Sequence, residues 1–171
     1  MFDNRPIGVF DSGLGGLSIL TALRQELPDE HFIYYADSAN CPYGDKSLER
    51  IKQLSVDITT FLLAKGCKMI VVACNSATAA AIDLLRERFP VPFVGVEPAV
   101  KQAAIHTQSG KVGVLATEHT FNGRLFRETS SKYAADKDLF IQVGYGLVEL
   151  VENGKTDHPE TINLVRQYIE P

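Results

Sequence analysis

The segment from Met69 to Ala81 constrains the fold most, because a short apolar run passes there directly into a helix-forming run. The run begins with apolar, β-branched-rich sequence, which predicts a strand buried on both faces. The Ala-rich part that follows predicts a helix, with Asn75 and Ser76 as candidate N-cap residues. Cys74 therefore lies at the strand-to-helix turn, on the carboxyl edge of a parallel sheet, where open α/β folds place ligands.

Cys74 is predicted to be a reactive thiol. Backbone amides at a helix N-terminus favour an anion and can lower the pKa of a cysteine from about 8.5 toward neutrality. We therefore expect Cys74 to be alkylated faster at neutral pH than Cys67. Cys67 precedes the strand and is interpreted as a buried structural cysteine, which is the commoner role for such a thiol.

Strand-like and helix-like segments alternate along the first half of the chain. Apolar runs ending at Phe10, Ala36, Ala73 and Val96 predict strands, and the stretches between them predict helices. This alternation is typical of an α/β fold with a parallel sheet and right-handed crossovers. If the strand order is 2-1-3, Asp11 and Cys74, each just past its strand, stand side by side.

After the fourth strand the alternation begins again. Strands are predicted at 111–116 and 139–143, with a helix over 120–132 between them. Two strands make a poor sheet on their own. The sequence therefore predicts a first α/β domain over residues 1–97 and an incomplete second, similar α/β domain over residues 98–171.

Composition and charge argue against several classes of protein. The formal net charge is −4 and the basic residues are scattered, which argues against nucleic acid and an anionic membrane surface as partners. No apolar run reaches the roughly 18 residues of a membrane span. Strand-like sequence begins by Ile7, which leaves no room for a signal peptide.

The odd count of three cysteines predicts free thiols in a reducing cytoplasm. No metal site is predicted, because no histidine pairs with a cysteine at ligand spacing.

The turn after the first strand holds a glycine-rich segment, Gly13–Ser18, that falls one residue short of the dinucleotide-binding fingerprint. Asp37, at the end of the second strand, occupies the place of a ribose-binding acid. A nucleotide-binding α/β enzyme is therefore one alternative, and a glycine turn that serves only the fold is another. Against a nucleotide stands the carboxylate of Asp11, just before the glycines, which would repel phosphates.

Residues at the predicted carboxyl edge favour acid-base chemistry on an amino acid. Amides and hydroxyls that can hold carboxylates or make close backbone contacts come from Ser12, Tyr43, Gly44, Asn75 and Ser76. Cys74 can then take the α-proton, with Asp11 beside it to orient the thiol or to hold its proton. Inverting the carbon needs a base on one face and an acid on the other, so a single thiol performs half of that reaction.

Five blocks of sequence together closely resemble the glutamate racemase family, and they recur in the family's order. The blocks are Val9–Gly16, Ala36–Gly44, Val72–Ala77, Gly95–Ala99 and Val114–Thr120. The resemblance covers the chain from Ile7 to its end. It implies a cofactor-independent isomerase that interconverts L- and D-glutamate with two thiols, for peptidoglycan. It also implies two similar α/β domains that close over the substrate.

The resemblance assigns roles residue by residue. Cys74 matches the first catalytic cysteine, with Asp11 beside it, and Glu152 matches the carboxylate that assists the opposite thiol. Substrate-pocket positions of the family are matched by Ser12, Tyr43, Gly44, Asn75, Ser76, Thr117 and Thr120. The implied partner is the small molecule glutamate, and the resemblance is compatible with a homodimer.

Two features depart from the family's pattern. Ser76 stands where threonine is common, a change that keeps the hydroxyl. The family's second catalytic cysteine lies in a Gly-Cys-Thr-His block that this sequence lacks. Cys41 cannot replace it, because it lies in the first domain on the Cys74 side. Family members run well past residue 171, so the sequence resembles a truncated racemase. A non-catalytic remnant that binds an amino acid is the remaining alternative.

Overall fold

The computed structural model describes residues 3–170, which form two compact units that divide between Val96 and Glu97. Each unit contains a parallel sheet and its helices. The predicted α/β class is therefore confirmed.

The first unit is built on a four-stranded sheet in which all strands are parallel. Its strands are β1 (Ile7–Asp11), β2 (Phe32–Ala36), β3 (Met69–Val72) and β4 (Phe93–Gly95). Its helices are α1 (Gly16–Glu26), α2 (Leu48–Ala64) and α3 (Asn75–Arg88). Between β2 and α2 lie two short 3-10 turns, Ser38–Asn40 and Tyr43–Asp45. The strand order is β2-β1-β3-β4, which confirms the predicted adjacency of the first and third strands.

Successive residues of β1 face opposite layers of helices, as the two-residue period of a strand requires. Ile7 and Val9 pack on one face, where the apolar side chains of α1 cover them. Gly8 faces the other layer, and a Cβ at this position would meet Ile70 and Leu62 at 2.8 and 3.1 Å. The sheet is thus buried on both sides, which explains why its central strands are continuous apolar runs.

Helix α2 shows how local sequence sets the ends of an element. Ser47 caps its start, where its Oγ accepts a hydrogen bond from the backbone N–H of Arg50 at 3.3 Å. The helix ends before Gly66, whose φ of +83° lies in the left-handed region that glycine occupies without strain. Chain direction therefore reverses just before Cys67 and β3.

The second unit has a two-stranded parallel sheet of β5 (Lys111–Ala116) and β6 (Asp138–Val143). Its helices are α4 (Val100–His106), α5 (Glu118–Asn122), α6 (Arg124–Tyr133), α7 (Leu147–Glu152) and α8 (Pro159–Ile169). The single helix predicted over 120–132 is wrong. Gly123 has an extended backbone (ψ 145°) that separates α5 from α6.

The core of the second unit lies between the sheet and the helices on one face. Val100 and Ala104 of α4 pack with Phe126 of α6. Val114 of β5 and Leu139 of β6 are partly buried and pack against this cluster. Phe140 and Ile141 of β6 remain more than half exposed. Within residues 3–170, none of the helices combines the length and the apolar character of a membrane span.

Candidate functional site

The carboxyl edge of the first sheet brings Asp11, Ser12 and Cys74 together. β1 and β3 are in register up to Phe10 and Val72, and the ladder continues as the Ala73 N–H donates to the Phe10 carbonyl at 2.8 Å. Cys74 Sγ lies 3.6 Å from Ser12 Oγ. Asp11 and Cys74 are 6% and 5% exposed. The predicted juxtaposition is thereby confirmed in a nearly closed environment.

Cys74 is itself the N-cap of α3. Its backbone is extended (φ −109°, ψ 120°), and its Sγ accepts a hydrogen bond from the Ala77 N–H at 3.4 Å. Asn75 already belongs to the helix, so the prediction that Asn75 or Ser76 caps it is wrong. The sulfur takes the capping position because the chain turns into the helix one residue after Ala73, earlier than the sequence pattern indicated.

The electrostatics of Cys74 oppose the predicted activation of the thiol. Burial, and then repulsion from the Asp11 carboxylate, raise the pKa of Cys74 to about 11, although hydrogen bonds from Ala77 and Ser12 act in the lowering direction. The prediction that the helix N-terminus lowers this pKa toward neutrality is therefore wrong. Desolvation of a thiolate outweighs the amide donors at this depth. The thiol is neutral at pH 7.

Asp11 is held in place by the glycine-rich turn. Its Oδ2 accepts hydrogen bonds from the Gly13 and Gly16 N–H groups at 3.2 and 2.9 Å. A Cβ at Gly16 would lie 2.6 Å from Asp11 Cβ and 3.1 Å from Ala73 Cβ, so the glycine permits close packing of α1 on the sheet. The amides that a dinucleotide would use are thus occupied by a carboxylate. This arrangement contradicts the nucleotide-binding alternative.

Tyr43 and Gly44 lie on the second 3-10 turn, which packs against α3. Tyr43 is 1% exposed, and its hydroxyl donates to Asp37 Oδ2 at 2.6 Å. The hydroxyl that the sequence offered to a substrate is therefore engaged by a carboxylate. Gly44 is half-buried on the same turn. The close backbone contact at Tyr43 and Gly44 remains a prediction.

Asn75 and Ser76 follow Cys74 in the first turn of α3 and differ in burial. Asn75 is exposed, whereas Ser76 is 5% exposed. Asn75 is thus able to meet a ligand from solvent at the edge that carries Cys74. A role for either residue in binding remains a prediction.

Asp37 contributes to this edge in a way that was not predicted. Its position after the second strand suggested only a ribose ligand, whereas its side chain is buried and accepts hydrogen bonds from Tyr43 and Asn40. Asp37 follows β2 directly, just as Asp11 ends β1, and β2 and β1 are neighbours. The order of strands and the position after a strand were the signals that could have found it.

In the second unit, the predicted residues Thr117 and Thr120 lie together just after β5. Their Oγ1 atoms are 3.1 Å apart, and Thr120 is 2% exposed. Glu152 is the last residue of α7 and is half-buried. A groove of about 570 Å³ between α7 and α8 is lined by neighbours of Glu152 such as Glu149 and Asn153, and Glu152 is outside that lining. The roles of Thr117, Thr120 and Glu152 remain predictions.

Over residues 3–170, no group of three or more His, Cys, Asp or Glu side chains is arranged to hold a metal ion. The chemistry that this edge offers is that of a buried thiol, a hydroxyl and a carboxylate.

Comparison with known proteins identifies the family. Residues 15–170 match the family model for Asp/Glu/hydantoin racemases. The chain is 50% identical over 168 residues to a glutamate racemase of Herpetosiphon aurantiacus, covering 98% of this chain and 66% of that protein. It spans 59–66% of the length of this and two further curated glutamate racemases.

Solved structures agree with this result. A glutamate racemase isoform from Bacillus anthracis superposes with a TM-score of 0.87 at 30% identity, covering 98% of this chain and 64% of that chain. The Escherichia coli glutamate racemase, in complex with L-glutamate and the activator UDP-MurNAc-ala, gives 0.85 at 36% identity, covering 95% and 62%. The chain therefore belongs to the Asp/Glu/hydantoin racemase family.

Proposed function

We propose that this chain supplies the Cys74 half of a cofactor-independent glutamate racemase, which interconverts L- and D-glutamate by moving the α-proton with thiols. The observation that carries the proposal is the juxtaposition of Cys74, Asp11 and Ser12 at one sheet edge. The Escherichia coli relative, solved with L-glutamate, supports an amino acid as the ligand. The biological role that we propose is supply of D-glutamate for peptidoglycan in the cytoplasm.

Cys74 is the proposed base on one face of the substrate. Its thiolate removes the α-proton, so that the C–H bond breaks, an S–H bond forms and the electron pair stays on the α-carbon as a carbanion. Such a proton is weakly acidic, so the site must also stabilise the developing charge. We assign this task to the polar groups at Ser12, Asn75 and Ser76.

Binding of the substrate itself is the proposed trigger for thiolate formation. The pKa of Cys74 is raised to about 11 by burial and by the Asp11 carboxylate. The α-ammonium of glutamate is a cation, and a cation beside Asp11 and Sγ favours the charged thiolate. The buried thiol thus stays protonated until a substrate supplies the compensating charge.

Inversion requires a second acid on the opposite face of the carbanion. The cysteines of this sequence are Cys41, Cys67 and Cys74. Cys67 is buried before the start of β3, at the other end of the strand from Cys74. We therefore propose that this chain performs one half of the reaction and that Glu152 assists a thiol from outside this sequence. The homodimer stays a prediction.

A binding measurement with Asn75 variants tests the substrate. Replacing Asn75 with Leu should abolish glutamate binding in titration calorimetry, because the residue is exposed beside Cys74 and its amide is proposed to hold a carboxylate. The matched control is Asn163→Leu on α8, also exposed, which should bind like the parent. Unchanged affinity of the Asn75 variant would contradict the pocket assignment. A response of the parent to NAD but not to glutamate would contradict the proposed function.

A further inference from the structure

A buried carboxylate, Asp37, ties together the segment between β2 and α2. Asp37 is 4% exposed, and its Oδ2 accepts from the Tyr43 hydroxyl at 2.6 Å. Its Oδ1 accepts from Asn40 Nδ2 at 2.9 Å. Asn40 belongs to the first 3-10 turn and Tyr43 to the second, so one carboxylate anchors both turns.

The anchor is built into the same sheet edge as Asp11 and Cys74. The Asp37 N–H donates to the Asp11 carbonyl at 3.0 Å, which extends the β1–β2 ladder by one bond. The turn of Tyr43 packs on α3, the helix that Cys74 caps. The pKa of Tyr43 is raised well above its ordinary value, first by burial, then by Asp37, and then by repulsion from Cys74 in its thiolate form. The phenol is therefore within electrostatic range of both Asp37 and the thiol.

Packing alone does not account for a carboxylate at this position. Burying a charged group is costly, and an apolar pair of similar volume is often equally stable. A charge-assisted hydrogen bond is short and directional, so it fixes the phenol more narrowly than apolar contacts do. An exposed side chain extends the network, since Arg50 Nη2 donates a hydrogen bond to Asn40 Oδ1 at 3.4 Å. These features favour a role in placing the turn.

We propose that Asp37 is a positioning residue of the Cys74 site: through the Tyr43 hydroxyl it holds the turn of Tyr43 and Gly44 against the start of α3. Two consequences follow. The turn shields Cys74 from solvent, and the backbone of Gly44 is kept at the place where it contacts the substrate. The second consequence rests on the proposed function, whereas the first does not.

The test compares Asp37→Asn, Tyr43→Phe and the double variant with the parent chain. Asp45→Asn is the matched control, because Asp45 is an exposed aspartate on the same turn as Tyr43. The first readout is the rate at which iodoacetamide labels Cys74, followed by peptide mapping. Cys67, also buried, serves as the internal reference in every sample. The second readout is the affinity for L-glutamate by calorimetry.

We expect labelling of Cys74 to accelerate about tenfold or more in each single variant. A change of this size is expected when the turn of Tyr43 and Gly44 loses one charge-assisted hydrogen bond that holds it closed. The double variant should be no faster than the faster single variant, because both changes break one contact. Asp45→Asn and the labelling of Cys67 should be unchanged. Glutamate affinity should fall in Asp37→Asn and Tyr43→Phe but not in Asp45→Asn.

Two results would overturn the positioning role. One is that Cys74 in the Tyr43→Phe variant, which keeps the aromatic ring, is labelled at the same rate as in the parent chain. The other is equal acceleration at Cys74 and Cys67, which would indicate general loosening of the fold. If the parent chain binds no glutamate, the proposed function fails, and the labelling rates alone still decide the role of Asp37.

Discussion

At the scale of single residues, the proposed chemistry depends on Cys74, a buried thiol at the start of α3. Cys74 accepts a hydrogen bond from the start of α3, yet its pKa is raised to about 11 by burial and by the nearby Asp11 carboxylate. The Asp11 carboxylate is held in this position because its Oδ2 accepts hydrogen bonds from the Gly13 and Gly16 amides. We propose that the charge of a cationic ligand, rather than of the protein, shifts Cys74 toward the thiolate.

Replacing Asp11 by Asn should lower the pKa of Cys74, because it removes the repulsion between the carboxylate and the thiolate. The measurement is a pH titration of thiolate absorbance, taken as the difference between each protein and its Cys74→Ser counterpart. In the parent, the folded chain holds the thiol proton more tightly than the unfolded chain. The stability from this site is thus intact below pH 9 and is lost as pH rises through about 11. An unchanged or higher pKa in Asp11→Asn would contradict the assigned electrostatics.

At the scale of elements, the position of Cys74 after β3 followed from the sequence, because apolar runs and helix formers alternate clearly along the first half of the chain. The adjacency of β1 and β3 was predicted on the condition of a 2-1-3 strand order, which the sheet shows. The N-cap of α3 was predicted wrongly, because cysteine is not a usual capping residue, whereas asparagine and serine, present at Asn75 and Ser76, are usual ones. The break at Gly123 was missed because the apolar periodicity continues across it. The pairing of Asp37 with Tyr43 depends on contacts between segments, which no local pattern contains.

The close packing of α1 on the sheet gives a test at this scale. Gly16→Ala should lower the free energy of unfolding by about 1–3 kcal/mol, because the new Cβ would lie 2.6 Å from Asp11 Cβ. Gly15→Ala is the control. Its backbone is already helical and its Cβ would meet only Asp11 Oδ2, at 3.5 Å, so a change within about 0.5 kcal/mol is expected. Urea denaturation measures both, and equal effects would refute the packing argument.

At the scale of the whole molecule, the described residues form two units whose sheets differ in size. The first has a four-stranded sheet covered on both faces, whereas the second has two strands with apolar side chains of β6 exposed. We propose that residues 1–97 and 98–171 correspond to separate domains, of which the second is incomplete.

A fragment of residues 1–97 should fold by itself, because the core around β1 and β3 is formed within it. Circular dichroism should show α/β structure, and denaturant should unfold it in one cooperative transition. The fragment 98–171 is the comparison, and we expect it to unfold with lower cooperativity because two strands bury little surface. A fragment 1–97 without a cooperative transition would contradict the division.

Proton NMR of L- and D-glutamate in D₂O with the 171-residue chain tests whether Cys74 is the base of one half of a racemase. We expect slow loss of the α-proton signal from one enantiomer and no formation of the other, because one thiol serves one face. Cys74→Ser should reduce this exchange by about 100-fold or more. Formation of the opposite enantiomer by the parent chain would contradict the two-thiol mechanism. Exchange that survives in Cys74→Ser, or is absent from the parent with glutamate bound, would contradict Cys74 as the base.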